Sequence, residues 1–337
     1  MPTNTLTFAT YNISGLPFDI KEKIPESVPP GGTPAERPDK TRWRLPWLDA
    51  YRIGHQMDAQ DLSFFAVQED FSVYRFLAAA AKSYSYRTFS SGAVPGGDGL
   101  DIFSRLPIWN VERVAWKEAY GGIFYGAADE LTPKGFLYCL MEVAPSTYIH
   151  IYNLHSDADG GEENAATLTQ VTDSCKARHA QFFQLTEHIH TVCRNEAVIL
   201  CGDFNSYLTA PPHQVRELLM EPNGLQDVWE EAGTGMPDCI DRILYRSGKG
   251  FQLTLQEYAP LEGFTAKGDR KFSDHVPYRV RFSYNAELSL PRQKLAPAPE
   301  AQKVKLRRAA HHTKLDFKKL TAELKEKLGK QPPAANT

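Results

Sequence analysis

An α/β (α+β) chain, with sheets packed face to face and helices outside them, is the fold class that the sequence predicts. Nine short apolar runs rich in β-branched and aromatic residues recur along the chain, while only three stretches show helical spacing. The two kinds are interspersed, as a layered sandwich requires. With 337 residues, 42% of them apolar, the chain can bury a large core, and β-rich folds of about 250 residues often form a single domain.

The first strand is expected over Leu6–Ile13. A Pro-, Lys- and Glu-rich insertion at 19–46 follows, a surface loop or lid by its length. Trp47–Asp58 then reads as a helix and Ser63–Val67 as a strand. Asp70–Lys82 is a second helix, with Phe71, Tyr74, Phe76, Leu77 and Ala80 on its apolar face. Strands are expected at Leu100–Phe103, Phe136–Val143 and Ile149–Leu154, and the longest helix at about Ala165–Cys193. Val198–Cys201, Ile240–Tyr245, Phe251–Glu257 and Val276–Tyr284 complete the strand set. Residues 1–290 therefore read as one folded domain. Residues 291–337 begin as a Pro/Ala linker and continue as a basic amphipathic tail helix with Phe317, Leu320, Leu324 and Leu328 on one face.

Charge divides the chain in the same way. The net charge is −3, but from Arg292 onward 12 Lys/Arg stand against 4 Asp/Glu, a tail of +8. The preceding 291 residues carry 26 against 37, or −11. An acidic body departs from the usual footprint of a tight nucleic-acid binder and suits a site that concentrates divalent cations. The basic tail helix suits peripheral contact with an anionic membrane or packing against a partner. Cys139, Cys175, Cys193, Cys201 and Cys239 show no CxxC spacing, and their odd number argues against a complete disulfide framework. The N-terminus enters a strand pattern without a charged or apolar leader region. No window of about 18 apolar residues offers a transmembrane segment. The chain reads as cytoplasmic as written, and as secreted if a leader precedes it.

Chemistry enters where the strands end. AVILCGDFNSYL (197–208) runs apolar and then presents Asp203 and Asn205. Taken alone this is a turn, because Gly, Asp, Asn and Ser all form turns. Five further strand ends repeat the pattern. Asn12 follows the first strand, Gln68-Glu69-Asp70 the second, and His155, Asp157 and Asp159 end another. Asp241 opens one strand and Asp274-His275 another. If these ends converge, they supply what phosphate-ester hydrolysis at neutral pH requires. A hard cation such as Mg2+ takes a few oxygen ligands and neutralises developing charge. His is suited to moving the protons, with a neighbouring Asp, Asp274 or Asp241, to orient it.

In the order YN…QE…HSD…GDFN…DRI…SDH, these motifs resemble the endonuclease/exonuclease/phosphatase superfamily, the fold of pancreatic-type deoxyribonuclease, over roughly residues 5–285. The resemblance implies a four-layered αββα sandwich of two packed mixed sheets, with 1–290 as the catalytic domain. It makes Glu69 the main Mg2+ ligand (Mn2+ or another divalent cation being the alternative) with Asn12 beside it. It makes Asp203 the residue that orients or activates the water, Asn205 the one that holds the phosphate, and His275 the general base. His155 corresponds to a second catalytic His, with Asp241 as its orienting partner, and Asp274 to a further metal-binding carboxylate. Three stretches, TYNISGLP, GGDGLDIFSRLPI and LTPKGFLYCLMEV, are similar to the bacterial neutral sphingomyelinase branch, where Lys134 would contact substrate phosphate. The implied substrate is a lipid phosphodiester, with nucleic acid or inositol phosphates as alternatives. That branch carries a Trp-rich membrane hairpin before SDH. Here the segment holds only Tyr258, Leu261, Phe264 and Phe272 among several charges.

Overall fold

The computed structural model describes residues 4–15, 20–23, 41–71, 73–89, 97–119, 134–158, 173–266, 270–286 and 294–298. In chain order the first half comprises β1 (Asn4–Asn12), β2 (Ile20–Lys23), β3 (Thr41–Arg44), α1 (Pro46–Ala59), β4 (Phe64–Gln68), α2 (Tyr74–Ala80), β5 (Tyr86–Arg87), β6 (Asp101–Ser104), β7 (Ile108–Ala115), β8 (Gly135–Ala144) and β9 (Thr147–His155). The second half comprises α3 (Asp173–Val192), β10 (Val198–Asp203), a π-helical stretch (Val215–Met220), α4 (Glu221–Asn223), β11 (Gln226–Asp227), α5 (Val228–Ala232), β12 (Asp241–Arg246), β13 (Phe251–Pro260), β14 (Thr265–Ala266), β15 (Arg270–Lys271) and β16 (Tyr278–Ala286).

All nine expected strands form. They belong to two six-stranded sheets, ordered β13-β16-β1-β4-β6-β5 and β11-β12-β10-β9-β8-β7. Both are mixed, because β1 runs parallel to β4 and β10 parallel to β9 while the other pairings are antiparallel. The period-2 alternation of a strand sorts the side chains into layers. Leu6 and Phe8, Phe64 and Ala66, Ile149 and Ile151, Ile199 and Cys201, and Ile243 share one cluster between the sheets. The alternate positions Ala9, Tyr11, Phe65 and Val67 pack beneath α1 and α2 with Ile53, Met57 and Leu77. Tyr152, Leu154, Val198 and Leu200 pack beneath α3 and the π-helical stretch with Phe182, Leu185, Ile189 and Leu219. The result is a helix–sheet–sheet–helix sandwich.

Along the inner faces the sequence changes from apolar to polar toward one end of the sandwich. Leu6 and Phe8 give way to Thr10 and Asn12, Phe64 and Ala66 to Gln68, and Ile149 and Ile151 to Asn153 and His155. The buried Gln68 amide donates to Thr10 Oγ1 (3.0 Å) and to Asn153 Oδ1 (2.6 Å). Asn153 in turn donates to the carbonyls of Val67 (2.8 Å) and Asp101 (3.1 Å). Unpaired, these groups would cost a few kcal/mol each. Paired, they tie the two sheets together directly beneath the strand ends.

Gly202 shows why the polar end needs its glycine. Its φ is +141°, and a Cβ there would lie 2.1 Å from the Leu154 carbonyl oxygen of the neighbouring strand. Gly202→Ala is therefore expected to destabilise the protein by about 3 kcal/mol, read as a lower midpoint in denaturant unfolding. An unchanged midpoint would contradict the packing described here.

Several expectations change. The second helix is confined to Tyr74–Ala80, because the chain turns at Asp70 and Phe71 before entering it. Strand β7 gave no signal in the sequence, since Glu112 and Arg113 interrupt its apolar run. Arg113 is drawn inward by Asp98 (2.7 Å) and Asp101 (2.8 Å). Within the expected insertion, β2 and β3 pair as an antiparallel hairpin, and 24–40 lies outside the described residues. The expected linker is strapped to the sheet edge where it is described. Asn110 N donates to the Ala296 carbonyl (2.8 Å), and Ala296 N to Asn110 Oδ1 (2.6 Å). The rest of the tail, like Asp159 and residues 165–172, lies outside the described residues. Tyr258, Leu261, Phe264 and Phe272 before the SDH motif are all buried core residues, so they offer no membrane-facing surface. Among the described residues no helix is long and apolar enough to cross a membrane.

Candidate active site

The polar end of the sandwich brings the sequence-selected residues together. Register places Asp203 opposite His155 on one side and Asp241 on the other, and Asn12 opposite Gln68. Glu69 and Asn205 adopt positive φ, +56° and +43°, a strained choice for non-glycine residues that clusters at functional sites. Gly15 N donates to the Glu69 carbonyl (2.8 Å) and fixes that turn.

Asn12 Nδ2 is the bridge. It donates to Glu69 Oε1 (3.1 Å) and to Asp203 Oδ2 (3.0 Å), holding two carboxylates of different sheets side by side. Its Oδ1 accepts from Ser14 N (3.0 Å), so in this conformation Asn12 turns its nitrogen to the cluster. His155 Nε2 lies 3.6 Å from Asp203 Oδ2 and 3.8 Å from Glu69 Oε1. His275 approaches from the opposite side, with Nε2 3.7 Å from Asp203 Oδ2 and Nδ1 2.7 Å from Asp241 Oδ2. This last bond corrects the sequence reading. Asp241 orients His275, not His155, because β12 places it on the side of Asp203 away from β9.

The two donors expected to meet phosphate sit at one rim. Asn205 Nδ2 (3.2 Å) and Lys134 Nζ (3.4 Å) both donate to the Ser156 carbonyl, so they converge on one point. Lys134 is buried just before β8. Gly135 is required beside it, since a Cβ there would lie 2.0 Å from the Val114 carbonyl oxygen. Asp274 stands apart. It is exposed, its Oδ1 accepts from Ser273 Oγ (3.2 Å), and no hydrogen bond or ion pair joins it to Glu69 or Asn12.

Charge is crowded here. Burial raises the Glu69 pKa, and the Asp203 charge adds to it against Lys134 and Asn12. Burial and the Asp241 charge push Asp203 up to about 6. Asp241 is also raised by burial, although its bond to His275 opposes this. Burial alone would lower His275, but the Asp241 hydrogen bond and the Asp241, Asp203 and Asp274 charges carry it up to about 10. His155 is held well below its ordinary value by burial, then by Lys134 and His275. The site thus gathers the buried carboxylates of Asp203 and Asp241 with the half-buried one of Glu69, three acids set against Lys134 and His275. Asp203, Asp241 and His275 also present ligand atoms within 4.8 Å of one another. Oxygen donors with excess negative charge fit a hard divalent cation.

Reading the sequence missed the supports. Trp116 Nε1 donates to the His155 carbonyl (2.7 Å), and Gln181 Oε1 on α3 accepts from Asp157 N (2.9 Å). Ser273 Oγ donates to the Asn12 carbonyl (2.8 Å) and accepts from His275 N (3.1 Å), tying the SDH turn to β1. Asn153 alone left a trace, as a carboxamide inside an otherwise apolar strand.

Comparison with known proteins agrees with this architecture. A sphingomyelinase of Mycobacterium bovis is 29% identical over 315 residues, which cover 85% of this chain and 55% of the relative. The chain therefore spans about half the length of the curated relatives it matches. Among solved structures, a double mutant of Staphylococcus aureus beta toxin with bound magnesium ions superposes with a TM-score of 0.54 at 17% identity, covering 84% of this chain and 99% of the other. TDP2 of D. rerio, complexed with a single-strand DNA product, gives 0.57 at 16% identity, covering 83% and 99%. Residues 9–275 match the sequence profile of one family throughout. With two mixed sheets, this row of strand-end residues and that match, the chain belongs to the Endonuclease/Exonuclease/phosphatase family.

Proposed function

We propose that the chain is a phosphodiester hydrolase that works with a divalent cation, Mg2+ first among them, on a lipid phosphodiester of the sphingomyelin type. One observation carries the hydrolase reading: Asp241 fixes His275 so that Nε2 faces Asp203, while Asn205 and Lys134 converge beside them. The relatives named sphingomyelinase and the acidic body support the lipid over nucleic acid, because a groove without basic charge forgoes the main affinity term for nucleic acid.

Glu69, with Asn12 beside it, would hold the cation, which when bound supplies positive charge for the phosphoryl and leaving oxygens. Asp203 and His275 orient a water, and His275 Nε2 in its unprotonated form, the minor one at neutral pH while no cation is bound, takes the water's proton as the new P–O bond forms. Lys134 Nζ and Asn205 Nδ2 donate to phosphoryl oxygens. Neutral His155 presents Nε2 to the same space and donates a hydrogen bond to the departing oxygen as its bond to phosphorus breaks, and that oxygen is then protonated from solvent. The deciding assay compares sphingomyelin vesicles with plasmid DNA, in Mg2+ and in EDTA, with His275→Ala as control. Metal-dependent phosphocholine release without nicking supports the reading. Nicking that vanishes in the variant would transfer the site to a nuclease.

Asp274 separates two roles. As a neighbouring charge that raises His275, its replacement in Asp274→Asn lowers the His275 pKa and moves the acid limb of kcat/KM to lower pH at unchanged Mg2+ requirement. A raised Mg2+ requirement with an unmoved limb would instead make Asp274 a ligand.

A further inference from the structure

We propose that the outer face of α1 and α2 at the catalytic end is the surface on which the protein docks to a zwitterionic lipid bilayer, an inference that rests on the lipid reading above.

The topology fixes where this face lies. β1 and β4 are parallel and both finish at the catalytic end, with Asn12 opposite Gln68. α1 must therefore run back between them. Its last residues are at the other end, where Ser63 N donates to the Thr7 carbonyl (2.6 Å) and the Gln60 carbonyl accepts from Arg105. Fourteen residues of helix span about 21 Å, which carries the α1 N-terminus back to the catalytic end. α2 starts there too, five residues beyond Glu69.

On that end the helices expose the wrong side chains for water. Trp47 and Tyr51, one turn apart on α1, are 43% and 40% exposed. His55 continues the stripe, its ring 4.7 Å from that of Tyr51. Phe76 of α2 lies 5.6 Å from Trp47, ring centre to ring centre. The Arg75 guanidinium covers Phe76 at 4.6 Å, and exposed Arg52, next to Tyr51 along α1, lies 3.6 Å from Asp49. On an acidic body this is an aromatic, cationic patch. Trp and Tyr prefer the headgroup level of a bilayer, where one part of the ring is dry and the other wet, and guanidinium groups pair with lipid phosphates. The segment before the SDH motif does not compete for this role, because its aromatic residues are buried.

The test uses the full chain and sedimentation with phosphatidylcholine/sphingomyelin vesicles lacking anionic lipid, on which a basic tail alone gains little. The triple variant Trp47→Ala/Tyr51→Ala/Phe76→Ala, and separately Arg75→Glu, are compared with wild type. We expect vesicle partitioning to fall at least tenfold in the triple variant and severalfold in Arg75→Glu, with hydrolysis of a short, water-soluble phosphodiester unchanged. Wild-type partitioning in the triple variant overturns the proposal. So does equal loss on vesicles and on the soluble diester, which would mean a damaged fold. If wild type binds the vesicles through this patch but releases no phosphocholine, the docking surface stands and the substrate assignment fails.

Discussion

His275→Ala lowers kcat by about a thousandfold, the range expected on losing a positioned general base. The substitution is not silent for folding, and the structure says why. His275 Nδ1 is the hydrogen-bond partner of Asp241 Oδ2, and Asp241 is buried at the edge of β12. Removing the imidazole strands that carboxylate, at a cost of about 1–3 kcal/mol. The double variant His275→Ala/Asp241→Asn puts a neutral amide in place of the stranded charge. It should recover most of the lost unfolding midpoint while remaining as inactive as His275→Ala. Asp241→Asn alone should lose about a hundredfold or more in kcat, since the amide no longer holds the imidazole with Nε2 toward Asp203. Stopped turnover in each variant, set beside denaturant midpoints, separates the two effects. Turnover near wild type in His275→Ala would remove the residue from the chemistry.

The division between what the sequence disclosed and what it hid has a physical basis. Alternation along β1, β4, β9 and β10 was legible because both faces of each strand are buried between sheet and helix, so polar residues stand out only at the ends. Asn12, Asp203 and His155 are those exceptions, and convergence of their strands is a consequence of parallel pairing. Asp241 was assigned to the wrong histidine because partner choice depends on which strand lies next to which. Sequence order says nothing about β12 flanking β10 opposite β9. Strand β7 was missed because its Arg113 serves a buried ion pair rather than solvent. The aromatic residues before SDH looked like a depleted membrane hairpin, and are core.

Glu69 ties function to stability through its environment, and Glu69→Gln exposes the link. In the folded protein burial raises the Glu69 pKa, and it raises Asp203 to about 6 from an ordinary 3.8. A group raised on folding contributes stability below its unfolded pKa and loses it as pH climbs through the folded one. Without cation, stability should therefore fall as pH rises from about 4 through about 6. The His275 shift, to about 10, extends the decline from about 6.5 upward. A bound divalent cation opposes this, because it favours the charged carboxylates. At about a hundred times its Kd it adds about 2.7 kcal/mol, or about 5–10 °C in Tm for a domain of this size. The gap between Tm in Mg2+ and in EDTA should widen from pH 5 to pH 8. Glu69→Gln removes one half-buried charge from beside Asp203, so its Tm in EDTA at pH 8 should exceed that of wild type, while the gain on adding Mg2+ largely disappears and kcat falls by orders of magnitude. A variant that keeps the full Mg2+ gain would show that the cation is held elsewhere, among Asp203, Asp241 and His275, and that Glu69 acts on the substrate alone.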